Sequence, residues 1–279
     1  MQRIIILGAN GFIGRHLQES LAIKGFDVKG FNKEEVDLTN SSSENQLAEF
    51  FSSEDVVIFL SSIAPDRKDS NAFIKNIQMA FNVSRAAKKT PIKHLIYFSS
   101  EAVYEFDNLN ITEATPTRPT DEYGAMHLIR EILLSSDINL KLLILRPVMV
   151  YGIEDTHCAY GINKFQNEAL KLGKINIFGL GEEKRDCVYI NDLVNLLIDL
   201  IIRGLPNGVL NIATGVSTSF MDLAKILASS NKSEIKIQFN ERKVEIKHKG
   251  FNIKKINELC PGFKFTNLKD GIKTLVSRC

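Results

Sequence analysis

Tryptophan is absent from the 279 residues, and cysteine and proline are scarce, at four and seven positions. Cys158, Cys187, Cys260 and Cys279 are widely spaced, with no C-x-x-C pair, so neither a zinc site nor a disulfide framework is indicated and the thiols read as reduced space-fillers. An excess of either charge is also missing. Lys and Arg number 35 against 33 Asp and Glu, a net charge of +2, and the basic residues are scattered, which gives no footprint for nucleic acid. No apolar stretch is long enough to cross a bilayer, and the N-terminus lacks the layout of a signal peptide. No membrane association is therefore expected, and the cytoplasm is the default compartment. With 44% hydrophobic residues the chain can bury a substantial core, as one large domain or as a domain with a smaller lobe.

What is present begins at once. Arg3-Ile4-Ile5-Ile6-Leu7 is an apolar strand that runs into Gly8-Ala9-Asn10-Gly11-Phe12-Ile13-Gly14 and then a helical pattern. Gly8 permits the tight turn, Gly11 lets backbone approach a phosphate, and Gly14 lets the helix pack on the strand. A dinucleotide pyrophosphate would face the amides near Phe12 and Ile13, where the helix dipole favours its charge. Glycine turns also serve structure alone, but the strand before and the helix after favour binding here.

Runs of branched apolar residues at Ile4–Leu7, Asp27–Phe31, Val56–Leu60, His94–Phe98 and Leu142–Leu145 read as strands buried on both faces. Helical patterns at His16–Lys24, Glu44–Phe51, Ala72–Lys88 and Tyr123–Ser135 alternate with them. That order predicts an α/β fold, a Rossmann-like doubly wound parallel sheet with ligands beyond the carboxyl ends of its strands. After the second strand stand Asn32 and Lys33, where an acidic residue would bind an NAD ribose and a basic one a 2′-phosphate. An amide does not repel a phosphate and a lysine attracts one, which favours NADP over NAD. The alternative is that Lys33 is solvated and Glu34 or Glu35 takes the ribose.

Further motifs follow: Tyr97-Phe98-Ser99-Ser100-Glu101-Ala102-Val103-Tyr104, Asp121-Glu122-Tyr123-Gly124-Ala125-Met126-His127, and Leu145-Arg146-Pro147-Val148-Met149-Val150-Tyr151-Gly152. Later come Gly179-Leu180-Gly181 through Arg185 to Asp192, and Asn211-Ile212-Ala213-Thr214-Gly215. With these the chain resembles an extended short-chain dehydrogenase/reductase, of the NAD-dependent epimerase/dehydratase family that modifies sugar nucleotides. The resemblance covers nearly the whole length. It implies that Tyr123 exchanges a proton with the substrate, that Ser100 fixes the same substrate oxygen, and that Asp37, Leu38, Ser61, Asn76 and Pro147 join the glycine turn in holding the cofactor. A tyrosine titrates near ~10, so it needs a neighbouring cation to serve at neutral pH.

The chain departs from the family pattern four residues after the tyrosine, where His127 replaces a lysine that binds the nicotinamide ribose and lowers the tyrosine pKa. Imidazole can still bond a ribose hydroxyl, and if protonated it could do part of the lysine's electrostatic work. An active but weaker enzyme, a relative without catalysis and a deliberate substitution are the competing explanations, and a surface histidine is the blandest. The retained Ser100 and Tyr123 favour the enzyme.

By the same resemblance a nucleoside-diphosphate sugar is the expected substrate. Arg185 would meet its phosphates, and Glu101 and Asn163 the sugar or diphosphate; an exposed helix residue is an equal alternative for Asn163. His157 reads as an extra acid or base, or as a surface residue. Glu101 is followed by Ala102 rather than a second acid, which argues against a standard dehydratase. The short connection from Phe31 to Asp37 resembles that of 4-keto sugar reductases. The expected activity is reductase or epimerase on a nucleotide-linked keto sugar, with a simple C4 epimerase next and a cofactor-binding sensor or scaffold as the alternative class. The expected layout places the cofactor domain at 1–155, with segments 187–215 returning to it, and the substrate lobe at 156–186 and 216–279. Strands near Val188–Ile190 and Val209–Ile212 should rejoin the sheet, and the Lys-rich stretch Glu241–Lys249 should be solvated. A homodimer through two helices of the sheet domain is compatible with the family.

Overall fold

The computed structural model describes residues 2–63, 69, 71–104, 107–155, 158 and 161–277; His157 and Cys279 lie outside the described residues. Contacts divide the chain into two compact units. The first comprises Met1–Glu105, Pro116–Pro147 and Val194–Leu210, the second Phe106–Thr115, Val148–Leu193 and Asn211–Cys279.

The first unit alternates strand and helix as the sequence pattern requires: β1 (Arg3–Leu7), α1 (Phe12–Ile23), β2 (Asp27–Phe31), α2 (Ser43–Phe50), β3 (Val56–Phe59), α3 (Ala72–Lys89) and β4 (His94–Phe98). A 3₁₀ turn (Glu101–Val103), α4 (Glu122–Ser135) and β5 (Leu142–Pro147) follow. The six-stranded sheet runs in the order Gly208–Ile212, β5, β4, β3, β1, β2. All four pairings among β1 to β5 are parallel. Every residue of β3 and β4 is buried, which explains why they read as unbroken apolar runs rather than alternating ones. Ile5, Leu7, Val57, Phe59, Leu95 and Ile144 pack with Leu47, Met79, Val83 and Leu134 in one core.

The chain leaves β1 toward β2 on one side and resumes at β3 on the other. The strand order therefore reverses between β1 and β3, and the crevice at their carboxyl ends is where such sheets bind ligands. Backbone bonds fix that edge: Leu60 N and Ser61 N both donate to the Leu7 carbonyl, at 2.9 and 3.0 Å.

In the second unit, Lys184–Tyr189 lies between Met149–Tyr151, to which it is parallel, and Ser217–Ser219, to which it is antiparallel. This corrects the expectation that a strand near Val188 rejoins the main sheet. Only Gly208–Ile212 does so, and it occupies the β5 edge that the other strand would have needed. Lys174–Phe178 pairs with Lys236–Asn240, and Asn108–Ile111 with Lys249–Phe251. Lys249 ends the Lys-rich stretch almost wholly buried, at 1% exposure, so that stretch is not solvated throughout. Among the described residues no helix is long and apolar enough to cross a membrane.

Candidate active site

The glycine turn has the shape that its residues allow and few others would. Gly8 sits at φ +95°, and a Cβ there would lie 2.8 Å from the Ser61 amide; at Gly14 it would lie 2.4 Å from the Gly8 carbonyl. α1 is thereby pressed onto the end of β1. Gly11 is the N-cap of α1, no side chain caps the helix, and its first turn carries no acid. The amides around Phe12 and Ile13 are therefore left to an outside acceptor, and the positive end of the helix dipole suits an anionic one. That arrangement fits a pyrophosphate. Asn76, buried on α3, brackets the backbone of Ile63, accepting from its N–H at 3.0 Å and donating to its carbonyl at 3.1 Å. Its work is to hold the segment after β3 that contains Ser61.

Beyond β2, the Asn32 side chain accepts from the amides of Glu34 and Glu35, at 2.8 and 3.2 Å, and so closes a turn. Lys33 keeps 79% of its side chain in solvent, with its ammonium 3.9 Å from Asp37. Burial works against the Asp37 charge, but bonds from the Thr39 amide and hydroxyl, with Lys33 nearby, outweigh it and hold the carboxyl below its ordinary range. Leu38 is buried beside it.

Asp121 caps α4 by accepting from Gly124 N at 2.7 Å, so Tyr123 falls in the first turn, half-buried. Gly124 decides how close that turn comes to the 3₁₀ turn, because a Cβ there would lie 2.2 Å from the Ala102 carbonyl. Ser100 is the N-cap of the 3₁₀ turn, its Oγ accepting from Ala102 N at 3.1 Å. That bond uses a lone pair of the hydroxyl and leaves its proton for another acceptor. Ser99 instead donates to Glu131, which also receives both arms of Arg146, at 2.9 and 2.5 Å. Arg146 donates in addition to the Tyr104 hydroxyl at 2.8 Å. This buried network fastens α4 to β5 and to the end of β4. Glu101 is half-buried in the 3₁₀ turn and Pro147 ends β5.

His127 is only 2% exposed, which removes the reading of it as a surface residue. Its ring meets Tyr123 edge to face, with centroids 4.6 Å apart, and its Nδ1 lies 2.7 Å from the Tyr97 hydroxyl. Burial, and then the nearby Arg130 charge, push the imidazole well below its ordinary pKa. Burial therefore disfavours the charged ring that would stand in for the lysine. Burial raises the Tyr97 phenol, so Tyr97 keeps its proton, and its hydroxyl shares a hydrogen bond with Nδ1. The buried Nε2 has no partner among the described residues.

Tyr97 and Arg130 were not among the residues marked in the sequence. The signal for Arg130 is helical spacing, since Tyr123, His127 and Arg130 follow at i, i+4 and i+7 and share a face, whereas Tyr97 lies within the apolar run of β4 and carries none.

In the second unit, Arg185 is bonded to Glu183 and to the carbonyls of Lys184 and Lys247. Asn163 is buried, accepting from Gly152 N at 3.2 Å and donating to Asp155 at 2.6 Å, so it is not an exposed helix residue.

An open doubly wound sheet with a phosphate-shaped turn at its reversal point and a helix-borne tyrosine defines a dinucleotide-binding α/β protein. The model of the NAD dependent epimerase/dehydratase family matches residues 4–213, and the chain belongs to that family. Among its relatives, the N-acetyl-alpha-D-glucosaminyl-diphospho-ditrans,octacis-undecaprenol 4-epimerase of Escherichia coli O157:H7 is 26% identical over 210 residues, covering 70% of this chain and 61% of the relative. A putative UDP-glucose 4-epimerase of Methanocaldococcus jannaschii is 28% identical over 306 aligned residues, covering 98% of this chain and 97% of the relative. The solved UDP-N-acetylglucosamine 4-epimerase from Methanobrevibacter ruminantium, in complex with UDP-N-acetylmuramic acid, superposes with a TM-score of 0.85 at 24% identity, over 99% of this chain and 97% of that one.

Proposed function

We propose that the protein is an NAD(P)-dependent oxidoreductase or epimerase acting on a nucleoside-diphosphate keto sugar, with Tyr123 as its acid and base. The observation that carries this reading is the close approach that Gly124 permits between the first turn of α4 and the Ala102 carbonyl, which sets the phenol of Tyr123 and the hydroxyl of Ser100 on adjoining turns. The backbone amides at Phe12 and Ile13 would hold the pyrophosphate, with Gly8, Gly11 and Gly14 shaping the turn. Asp37 and Leu38 would meet the adenosine, Ser61 and Pro147 the inner part of the cofactor, and the Nε2 of His127 a ribose hydroxyl. A bound nicotinamide supplies or takes up the hydride.

Ser100 donates its remaining proton to the substrate oxygen and orients it. Tyr123 then gives that oxygen a proton in reduction, or removes one in oxidation. Glu101, Asn163 and Arg185 would contact the substrate, as the family resemblance implies; Arg185 is a planar cation of the kind that pairs with a diphosphate, and its Nη2 now holds Glu183. Lys33 favours NADP. A homodimer would pack through α3 and α4, where Ile74, Phe81, Ile129 and Ile132 are exposed.

Tyr123→Phe tests the assignment. Turnover of a keto-sugar nucleotide should fall by about 10²-fold or more, while NADPH binding, followed by nicotinamide fluorescence, is retained. Undiminished turnover would remove Tyr123 from the mechanism, and retained cofactor binding with no turnover of any keto-sugar nucleotide by the parent protein would favour a sensor.

A further inference from the structure

A phenol that gives and takes protons near neutral pH needs a positive charge within reach of its anion. His127 does not provide it, being neutral. The charge that α4 does bring is on Arg130, at 1% exposure. Its Nη2 donates to the Ser61 carbonyl at 2.8 Å, and its guanidinium lies 4.4 Å from the centre of the Phe59 ring and 5.0 Å from that of Tyr97. Nε has no partner, and among the described residues no carboxylate pairs with Arg130. The adjacent Glu131 is committed to Arg146 and Ser99.

A buried guanidinium without a counter-anion is costly to keep. Its aromatic neighbours offset part of that cost, and what remains calls for an anion that forms nearby. Two phenols lie on this side of the charge: Tyr97, against the guanidinium, and Tyr123, two turns earlier on the same face of α4 and in ring contact with His127, and both favour the charged Arg130. Tyr97 is engaged with His127, and burial, with Glu131 adding to it, outweighs the help that the Arg130 charge gives its ionisation. Tyr123 is half-buried in the first turn of α4, where the helix dipole also favours negative charge.

Resting on the reading of Tyr123 as acid and base, we propose that Arg130 is the positioning cation of this site: it supplies from beneath His127 the charge that stabilises the Tyr123 phenolate, while His127 keeps only the hydrogen-bonding share. The groups that face this cluster are Tyr97 on β4, Phe59 on β3, the Ser61 carbonyl after it, and Met126 and the Glu131–Arg146 pair on the α4 side. None of the others is an uncompensated cation.

The test follows the Tyr123 phenolate directly, as the ultraviolet difference between each protein and the same protein carrying Tyr123→Phe. Arg130→Met should raise the Tyr123 titration midpoint by about one pH unit, the size of a unit charge acting across roughly 10 Å, the rise of seven helical residues, at an effective dielectric constant of about 20. The Tyr123-dependent limb of the turnover–pH profile should move with it, and Arg130→Lys should preserve both. The double variant His127→Lys with Arg130→Met, which moves the cation one turn along the helix, should restore the parental midpoint. Thermal melts and far-ultraviolet circular dichroism establish that Arg130→Met is folded, at some loss of stability because the Ser61 carbonyl loses its donor. An unmoved midpoint in folded Arg130→Met overturns the proposal. Should that variant not fold, a rise of a full unit in Arg130→Lys overturns it instead. Failure of the catalytic reading is separately visible, as turnover that survives Tyr123→Phe while these titrations stand.

Discussion

Lys33 leaves its ammonium in solvent, while its neighbour Asn32 is consumed in closing a turn, and this difference decides what each can offer a cofactor. Asn32 has its side-chain oxygen committed to the amides of Glu34 and Glu35, so only its amide N–H donors are left to meet a ribose. Lys33 gives up only a long contact to Asp37, and an exposed pair of that kind contributes little. On the proposed reading, a 2′-phosphate would be met by Lys33 at small cost. Lys33→Ala should weaken NADPH about tenfold and leave NADH nearly unchanged, since one charge-assisted bond contributes about 1.5 kcal/mol. Fluorescence titration of both cofactors checks it, and parallel losses would assign the ribose to another residue. His127 shows the converse, in that a side chain with a familiar charge repertoire has none once it is buried beside Arg130.

At the scale of elements, the site depends on how near α4 comes to the end of β4. Glycine inside a helix ordinarily costs about 0.5–1 kcal/mol relative to alanine. At Gly124 the sign reverses, because a Cβ 2.2 Å from the Ala102 carbonyl can be relieved only by moving backbone. Gly124→Ala should therefore destabilise by about 1–3 kcal/mol. A displacement of about 1 Å between Tyr123 and Ser100 should reduce kcat by about 10²-fold. Thermal melts and saturating kinetics measure the two effects, and a variant more stable than its parent with full kcat would disprove the close contact. The five strands β1 to β5 and the helices between them were legible because buried parallel strands leave unbroken apolar runs. Ser217–Ser219 and Lys236–Asn240 were not, since short or polar strands carry no such run. The tyrosine, serine and glycine positions were legible as ordered motifs. Arg130 and Glu131 were not, because adjacent opposite charges on a helix read as a solvated face until the fold turns both inward.

Across the whole molecule, acid should loosen the protein through histidines that the fold keeps neutral. His94 begins β4 and is buried, and burial, followed by the Lys141 charge, lowers its pKa from 6.5 to about 4 against a bond to the Pro206 backbone. Because the folded value lies below the unfolded one, the unfolded chain takes up a proton that the folded chain refuses. Stability is thus complete above pH 6.5 and declines as pH falls toward about 4. Between neutrality and pH 5 this one group accounts for about 2 kcal/mol, and His127 acts in the same direction. Asp186 and Asp192, whose carboxyls burial pushes up, act with the opposite sign, which makes the stretch above the ordinary carboxylate range the clearest to read. Urea unfolding at pH 7.5 and pH 5 should show the loss, and His94→Gln should recover about 2 kcal/mol of the difference between the two conditions. A pH dependence identical in parent and variant would mean that His94 titrates normally in the folded chain.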